Sequence, residues 1–186
     1  MKGLLINMYE LYVEKKFGED LWDEILEESD VKEETFIGPK SYDDKILPTL
    51  IETTARHLNL TPNNVMLMFG RHTFRGLASR AGELVKKYQG PEDLLLELDS
   101  VIHKIEVKKL LSGGEPPEFN IKLHPDGHMT AEYSSKRGLC HYAEGILHGL
   151  ADYYQRDIDC EQTQCVHLGG EKCIFELRFK PKVKNE

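Results

Sequence analysis

The chain has 186 residues, 40% of them hydrophobic, with a formal charge of −8, which suffices for one domain or one domain with a distinct lobe. Net acidity without a dense basic cluster argues against a general nucleic-acid binder, and no apolar run approaches the roughly 18 residues of a membrane span. The opening "MKGLLINMYELYVEKKFG" carries acids and lacks a small-residue cleavage site, so it does not read as a secretion signal.

A cytoplasmic address is the expectation, and there the four cysteines serve as thiols or metal ligands rather than disulfides.

The chain to about residue 111 reads as helices. "MYELYVEKKFG" places Leu5, Met8, Tyr9 and Tyr12 on one face at helical spacing, and Gly18 ends it. "EDLWDEILEES" is a second short helix with Leu21, Ile25 and Trp22 inward. A looser segment runs to about Ser41, punctuated by Gly38-Pro39. "DDKILPTLIETTARHLNL" resumes a helix with Pro48 near its first turn, where proline is tolerated. Thr61 then caps a fourth helix and Pro62 takes its first position; this one runs from Val65 to about Arg80. "GPEDLLLELDSVIHKIEVKKLL" is the longest segment, opened by Pro91 and closed by Ser112-Gly113-Gly114.

Beyond it the period changes. "EFNIKL" and "HMTAEYSS" read as strands around "HPDGH", "LCHYAEGILHGLADYYQ" as a helix, and "DIDCEQTQCV" and "CIFELRFK" as strands around "HLGGEK". The layout is α+β: a helical N-terminal lobe, then a lobe with a four-stranded antiparallel sheet and a helix.

Two features carry chemistry. In "YSSKR", Tyr133, Ser135 and Arg137 stand at i, i+2 and i+4. On a strand they share one face and spread donors over roughly 13 Å, either a solvated face or a grip for two spaced carboxylates. In "DSVIHKIEV", His103 interrupts an arc with Leu96, Val107 and Leu110 on its face and Leu98, Ile102 and Ile105 beside it. It is either a core histidine bonded to a carbonyl or a neutral imidazole placed to ligate haem iron. Haem joins the two features: it needs one axial base, an apolar slot and donors for two propionates, and Arg137 presents a planar fork for a carboxylate.

With "MKG" at the start, "FGRH" after the fourth helical segment, Pro116-Pro117, and Y-x-S-x-R after His103, the chain resembles the H-NOX family, the haem-nitric oxide/oxygen binding domains that include the haem domain of soluble guanylate cyclase. The resemblance spans nearly the whole chain. It implies haem b held between a distal subdomain (1–62) and a proximal one (63–186). His103 would be the axial ligand, Tyr133, Ser135 and Arg137 the propionate clamp, and Leu5 and Pro117 the packing against the macrocycle. It also implies NO and CO as ligands, no enzymatic activity, and signalling through a histidine kinase or a cyclic-di-GMP enzyme. NO weakens the bond trans to it, so the helix of His103 is free to move, a two-state switch.

The distal pocket implied by the family is Tyr9, Phe74, Tyr142 and Ile146 with Leu5. Tyr142 falls where oxygen-binding relatives carry a donor tyrosine, and such a bond contributes about 1.5–3 kcal/mol; O₂ is therefore a third candidate ligand. Cys140, Cys160, Cys165 and Cys173 all follow the change to β structure. They are buried thiols or, as in cysteine-bearing relatives, ligands of Zn²⁺, with His128, His141 or His167 able to replace a sulfur. Rival readings are a zinc-stapled redox or interaction module, or a haem enzyme of peroxidase type using His72.

Overall fold

The computed structural model describes residues 1–33, 35–97 and 117–182. Among the described residues, six helices precede the sheet: α1 (Gly3–Phe17), α2 (Glu19–Glu28), α3 (Ile46–Leu58), α4 (Pro62–Ala81), α5 (Glu83–Lys86) and α6 (Pro91–Leu96). Then come β1 (Glu118–Leu123), β2 (Met129–Ser134), α7 (Cys140–Tyr153), β3 (Arg156–Gln164), a 3₁₀ turn at Val166–Leu168, and β4 (Cys173–Pro181). The α+β layout and the antiparallel sheet are as the sequence predicts. Thr61 caps α4, its hydroxyl accepting from the Asn64 N–H at 3.2 Å, and Pro62 occupies the first turn. Pro91 opens α6; His103 and Pro116 lie outside the described residues.

Two details differ from expectation. The buried stripe of α1 is Ile6, Tyr9, Tyr12 and Val13, while Leu5 and Met8 are half-buried. On α2, Trp22 and Ile25 are buried and Leu21 is half-buried. Apolar spacing alone cannot choose between neighbouring stripes; the partner helix does, and here Trp22 packs edge-on against Tyr9 with centroids 6.2 Å apart.

Two apolar cores form. The N-terminal core gathers Ile6, Tyr9, Trp22, Ile25, Leu47, Leu50, Ile51, Val65 and Phe69. The C-terminal core gathers Phe74, Leu94, Leu147 and Leu150 with the strand residues Met129, Ala131, Phe175 and Leu177. The two cores divide within α4, between Phe69 and Phe74.

The sheet order is β1-β2-β4-β3, all antiparallel. The two hairpins meet through β2 and β4, where Met129 opposes Leu177 and Tyr133 opposes Cys173. Alternate residues of both strands are buried, the period-2 pattern of a sheet with one covered face.

Helices α4 and α7 pack backbone against backbone. A Cβ on Gly70 would overlap the Tyr142 carbonyl, one on Gly145 the Leu67 carbonyl, and one on Gly149 would come 2.5 Å from the Arg71 carbonyl. These glycines let α7 lie against the middle of α4, where the two cores meet.

Candidate functional site

Tyr133 is the last inward-facing residue of β2 and is buried. The strand ends at Ser134, so the row expected on one strand face does not form. Instead the chain turns. Gly138 N–H donates to the Ser135 carbonyl at 3.1 Å, the Arg137 N–H donates to Ser135 Oγ at 3.3 Å, and Gly138 takes φ 62°, a conformation glycine adopts without a Cβ clash. The turn leaves Ser135 as a polar neighbour of Tyr133. Burial first of all raises the Tyr133 pKa, so the phenol stays a neutral donor.

Arg137 Nε donates to Asp44 Oδ1 at 3.1 Å. The same carboxylate receives the Met1 ammonium, whose other partner is the Tyr42 carbonyl at 2.7 Å. The N-terminal ammonium bond foremost holds the Asp44 carboxyl below its usual range, with Arg137 adding to it. One carboxylate thus already sits between a cation of each lobe. The donor set suits carboxylates, and haem propionates are carboxylates, so the residues present fit the group. Pro117 is half-buried just ahead of β1.

Of the expected distal residues, the structure brings Tyr9 and Tyr142 together across Phe69, with centroids 5.0 Å and 5.1 Å away. The Tyr9 phenol is engaged: its Oη donates to Thr54 Oγ1 at 2.6 Å, and Thr54 Oγ1 donates to the Leu50 carbonyl at 2.8 Å. Thr73 Oγ1 donates to the Phe69 carbonyl at 2.9 Å and neighbours the Tyr142 phenol. Desolvation foremost raises both phenol pKa values. Leu5 is half-buried against the same core.

Phe74 and Ile146 lie elsewhere, in the C-terminal core. Phe74 is one turn past Gly70, so it meets Gly149 and Tyr153 rather than Tyr142. His72 lies tilted against Tyr12 with centroids 5.1 Å apart and is held below its usual pKa by burial first, then by Lys15, Arg75 and Lys16.

The thiols divide. Cys140, Cys165 and Cys173 are buried with sulfurs within 4.8 Å of one another, and Cys140 lies 3.8 Å from Cys165. Tetrahedral zinc with bonds of about 2.3 Å spaces its sulfurs by about 3.8 Å, so this cluster fits zinc. Burial foremost, then Cys173, pushes the Cys140 thiol up to about 12.

Cys160 is not part of the cluster. It sits further back along β3, beside Glu144 and His148, because the strand runs antiparallel to β4 and only its end meets Cys173. Nor does a histidine replace a sulfur there. His167 bonds the Gly138 carbonyl at 2.7 Å, His128 bonds Glu176 at 2.8 Å, and His141 bonds Glu144 at 3.3 Å. The polar neighbour of Cys140 is Gln162, whose buried Nε2 makes no hydrogen bond. The sequence reading missed Gln162. Its place in "CEQTQC", two residues after Cys160 on the same strand face, was the available signal.

A fold of this kind, a helical lobe followed by a lobe with an antiparallel sheet, matches a known class. Residues 2–162 match the haem-NO-binding family, and the chain belongs to it. The family is one of haem-based sensor domains for NO, CO and O₂, not of enzymes. The structure is similar to an H-NOX protein of Shewanella oneidensis in the Fe(II)NO ligation state, with 33% identity, TM-score 0.87, and coverage of 97% of this chain and 99% of that one. An H-NOX domain of the same organism in the Fe(II)CO ligation state gives 33% identity, full coverage of both chains and TM-score 0.83. Among curated proteins, soluble guanylate cyclase gcy-31 of Caenorhabditis elegans is 25% identical over 96% of this chain, which spans 26% of that protein's length. No described helix is long and apolar enough to cross a membrane.

Proposed function

We propose that this chain is a receiver for NO, binding it at ferrous haem b and passing the result to a separate signalling protein. The observation that carries the reading is the gathering of Tyr133, Ser135 and Arg137 at one turn, facing an acidic residue of the helical lobe. Bound haem supplies an iron centre for a diatomic gas. His103 would hold the iron, and Tyr133, Ser135 and Arg137 the propionates. Leu5 and Pro117 would pack on the macrocycle between the lobes 1–62 and 63–186.

Arg137 has a further role in this reading. A propionate competes with Asp44 for the guanidinium, so haem occupancy and lobe contact are coupled at one side chain. The choice of gas follows from the tyrosines. NO and CO need no donor, whereas O₂ needs one, and the Tyr9 hydroxyl is committed to Thr54 while that of Tyr142 neighbours Thr73. Releasing Tyr9 costs roughly the 1 kcal/mol of a net hydrogen bond, so O₂ is disfavoured against NO.

A histidine kinase or a cyclic-di-GMP enzyme is the proposed partner. The buried thiols fit a cytoplasmic address, and Cys140, Cys165 and Cys173 are the proposed zinc ligands, stapling the last hairpin to the start of α7.

The test is an absorption spectrum of the reduced protein under nitrogen, in air, and with NO in a separate anaerobic sample. The expected protein is coloured, shifts with NO, and oxidises slowly in air without a stable oxygenated spectrum. A His103→Gly variant is expected to lose or loosen its haem. Unchanged haem content and ligation in that variant, or a colourless protein that takes up no haem, would overturn the reading.

A further inference from the structure

Helix α7 carries a second constellation that gas binding does not use. Glu144 and His148 are four residues apart, so they project from one face about 6 Å apart along the axis. Strand β3 lies against that helix, and its inward-facing residues alternate with exposed ones, which puts Cys160 on the helix side with Ile158 and Gln162. The Glu144 carboxylate, the His148 imidazole and the Cys160 sulfur all lie within 4.8 Å of one another, and all three residues are half-buried. We propose that Glu144, His148 and Cys160 form a binding site for a divalent transition-metal ion of the zinc type, separate from the three-thiol cluster.

The donor types define the ion. One imidazole, one carboxylate and one sulfur make the mixed set that Zn²⁺ accepts, whereas Mg²⁺ and Ca²⁺ select oxygen alone. Zinc bonds of about 2.0–2.3 Å place ligand atoms about 3.3–3.8 Å apart. The three groups therefore need to close by about 1 Å, within the reach of side-chain rotation.

Charge closes as well. The carboxylate and a thiolate balance the two positive charges, and the proton leaving the Cys160 sulfur goes to solvent as the metal–sulfur bond forms. Partial exposure leaves the fourth position to water.

Neighbouring groups support the site. His141 Nδ1 lies 3.3 Å from Glu144 Oε2, the outer partner that orients a ligating carboxylate. Arg71, the cation beside His148, does not oppose a metal strongly, because Asp152 holds it with bonds of 2.6 and 2.8 Å. The two clusters are distinct: Cys140 opens α7, and His148 is two turns further on. An ion here would tie α7, the helix of Tyr142, to β3 midway along its length.

Zinc content after dialysis of the haem-loaded protein against a zinc-buffered solution tests the proposal. The unsubstituted chain is expected to keep one more zinc than His148→Ala or Cys160→Ser. Cys173→Ser, which strips a thiol from the other cluster, is expected to keep the zinc at issue. Glu144→Gln, nearly isosteric, keeps the test open should the alanine variant fail to fold, and His141→Phe is expected to weaken affinity by about 10- to 100-fold. Equal zinc content in the unsubstituted, His148→Ala, Cys160→Ser and Glu144→Gln proteins would overturn it. These counts do not depend on the NO spectrum, so the two readings fail separately.

Discussion

The two cores solve the same problem with different materials. The N-terminal core is built from helices, with Met1 and Phe36 from outside them, around a cluster of rings with Tyr9 and Phe69 at its centre. The C-terminal core is a helix laid on a sheet, filled by Met129, Phe175, Leu177 and three thiols. Helix α4 serves both, with Phe69 in one and Phe74 in the other. A helix that is shared this way transmits displacement. A shift of α4 against α7 cannot be absorbed by side chains at Gly70 and Gly145, where backbones touch. The difference teaches where the two cores are tied: at the glycine seam rather than through either core's interior.

The largest test of that comparison removes a ring from each core. Phe69→Ala and Phe175→Ala, both fully buried, are each expected to cost about 3–5 kcal/mol. Because α4 is shared, thermal unfolding should remain one transition, lowered in both variants; two separated transitions in calorimetry would show the cores to be independent.

Gly145→Ala attacks the seam itself. Its methyl meets the Leu67 carbonyl, a backbone group that cannot rotate away, so the cost is expected at about 3 kcal/mol, the upper part of the overpacking range. Gly76→Ala, with open space around it, is the control on the same α4 and should not destabilise. Equal melting temperatures for the two variants would dissolve the seam.

Smaller effects come from the tyrosine pairs. Tyr9→Phe strips a donor from Thr54 and should cost about 1 kcal/mol. Thr73→Val removes the hydroxyl that neighbours Tyr142 and is expected to slow oxidation of the reduced protein in air. An unchanged oxidation rate would break the link between that neighbour and gas choice.

The smallest is the ion pair across the seam. Arg71 foremost depresses the Asp152 carboxyl. A carboxyl with a lowered folded pKa stabilises above its unfolded pKa and loses that contribution as pH falls through the folded one. Asp152→Asn should therefore cost under about 1 kcal/mol at pH 7, and the difference from the unsubstituted chain should vanish on acidification. A difference in denaturation midpoint that persists at low pH would assign it to packing instead.

What was legible in the sequence was local. Thr61-Pro62 and Pro91 mark helix starts by chemistry that acts within one turn. The alternation in "HMTAEYS" and "CIFELRF" fixes which residues of β2 and β4 face inward, because a strand has a period of two wherever it lies. The change from helical to strand period after Gly114 foretold the α+β layout. The clamp was legible as a set of residues but not as a shape: Y-x-S-x-R was read as a strand row, and Gly138 with Ser135 makes it a turn. The thiols were legible as a group but not as a partition, because a sulfur's neighbours depend on strand register.

The sequence by itself thus determined the elements, their inward faces and the kinds of donor available. Only the tertiary structure decided the order of the two hairpins, the sharing of α4 between cores, the pairing of Arg137 with Asp44, and the separation of Cys160 from the other thiols. Each of these rests on contacts between residues far apart in the chain. Their free energy comes from packing and hydrogen bonding that no local preference encodes.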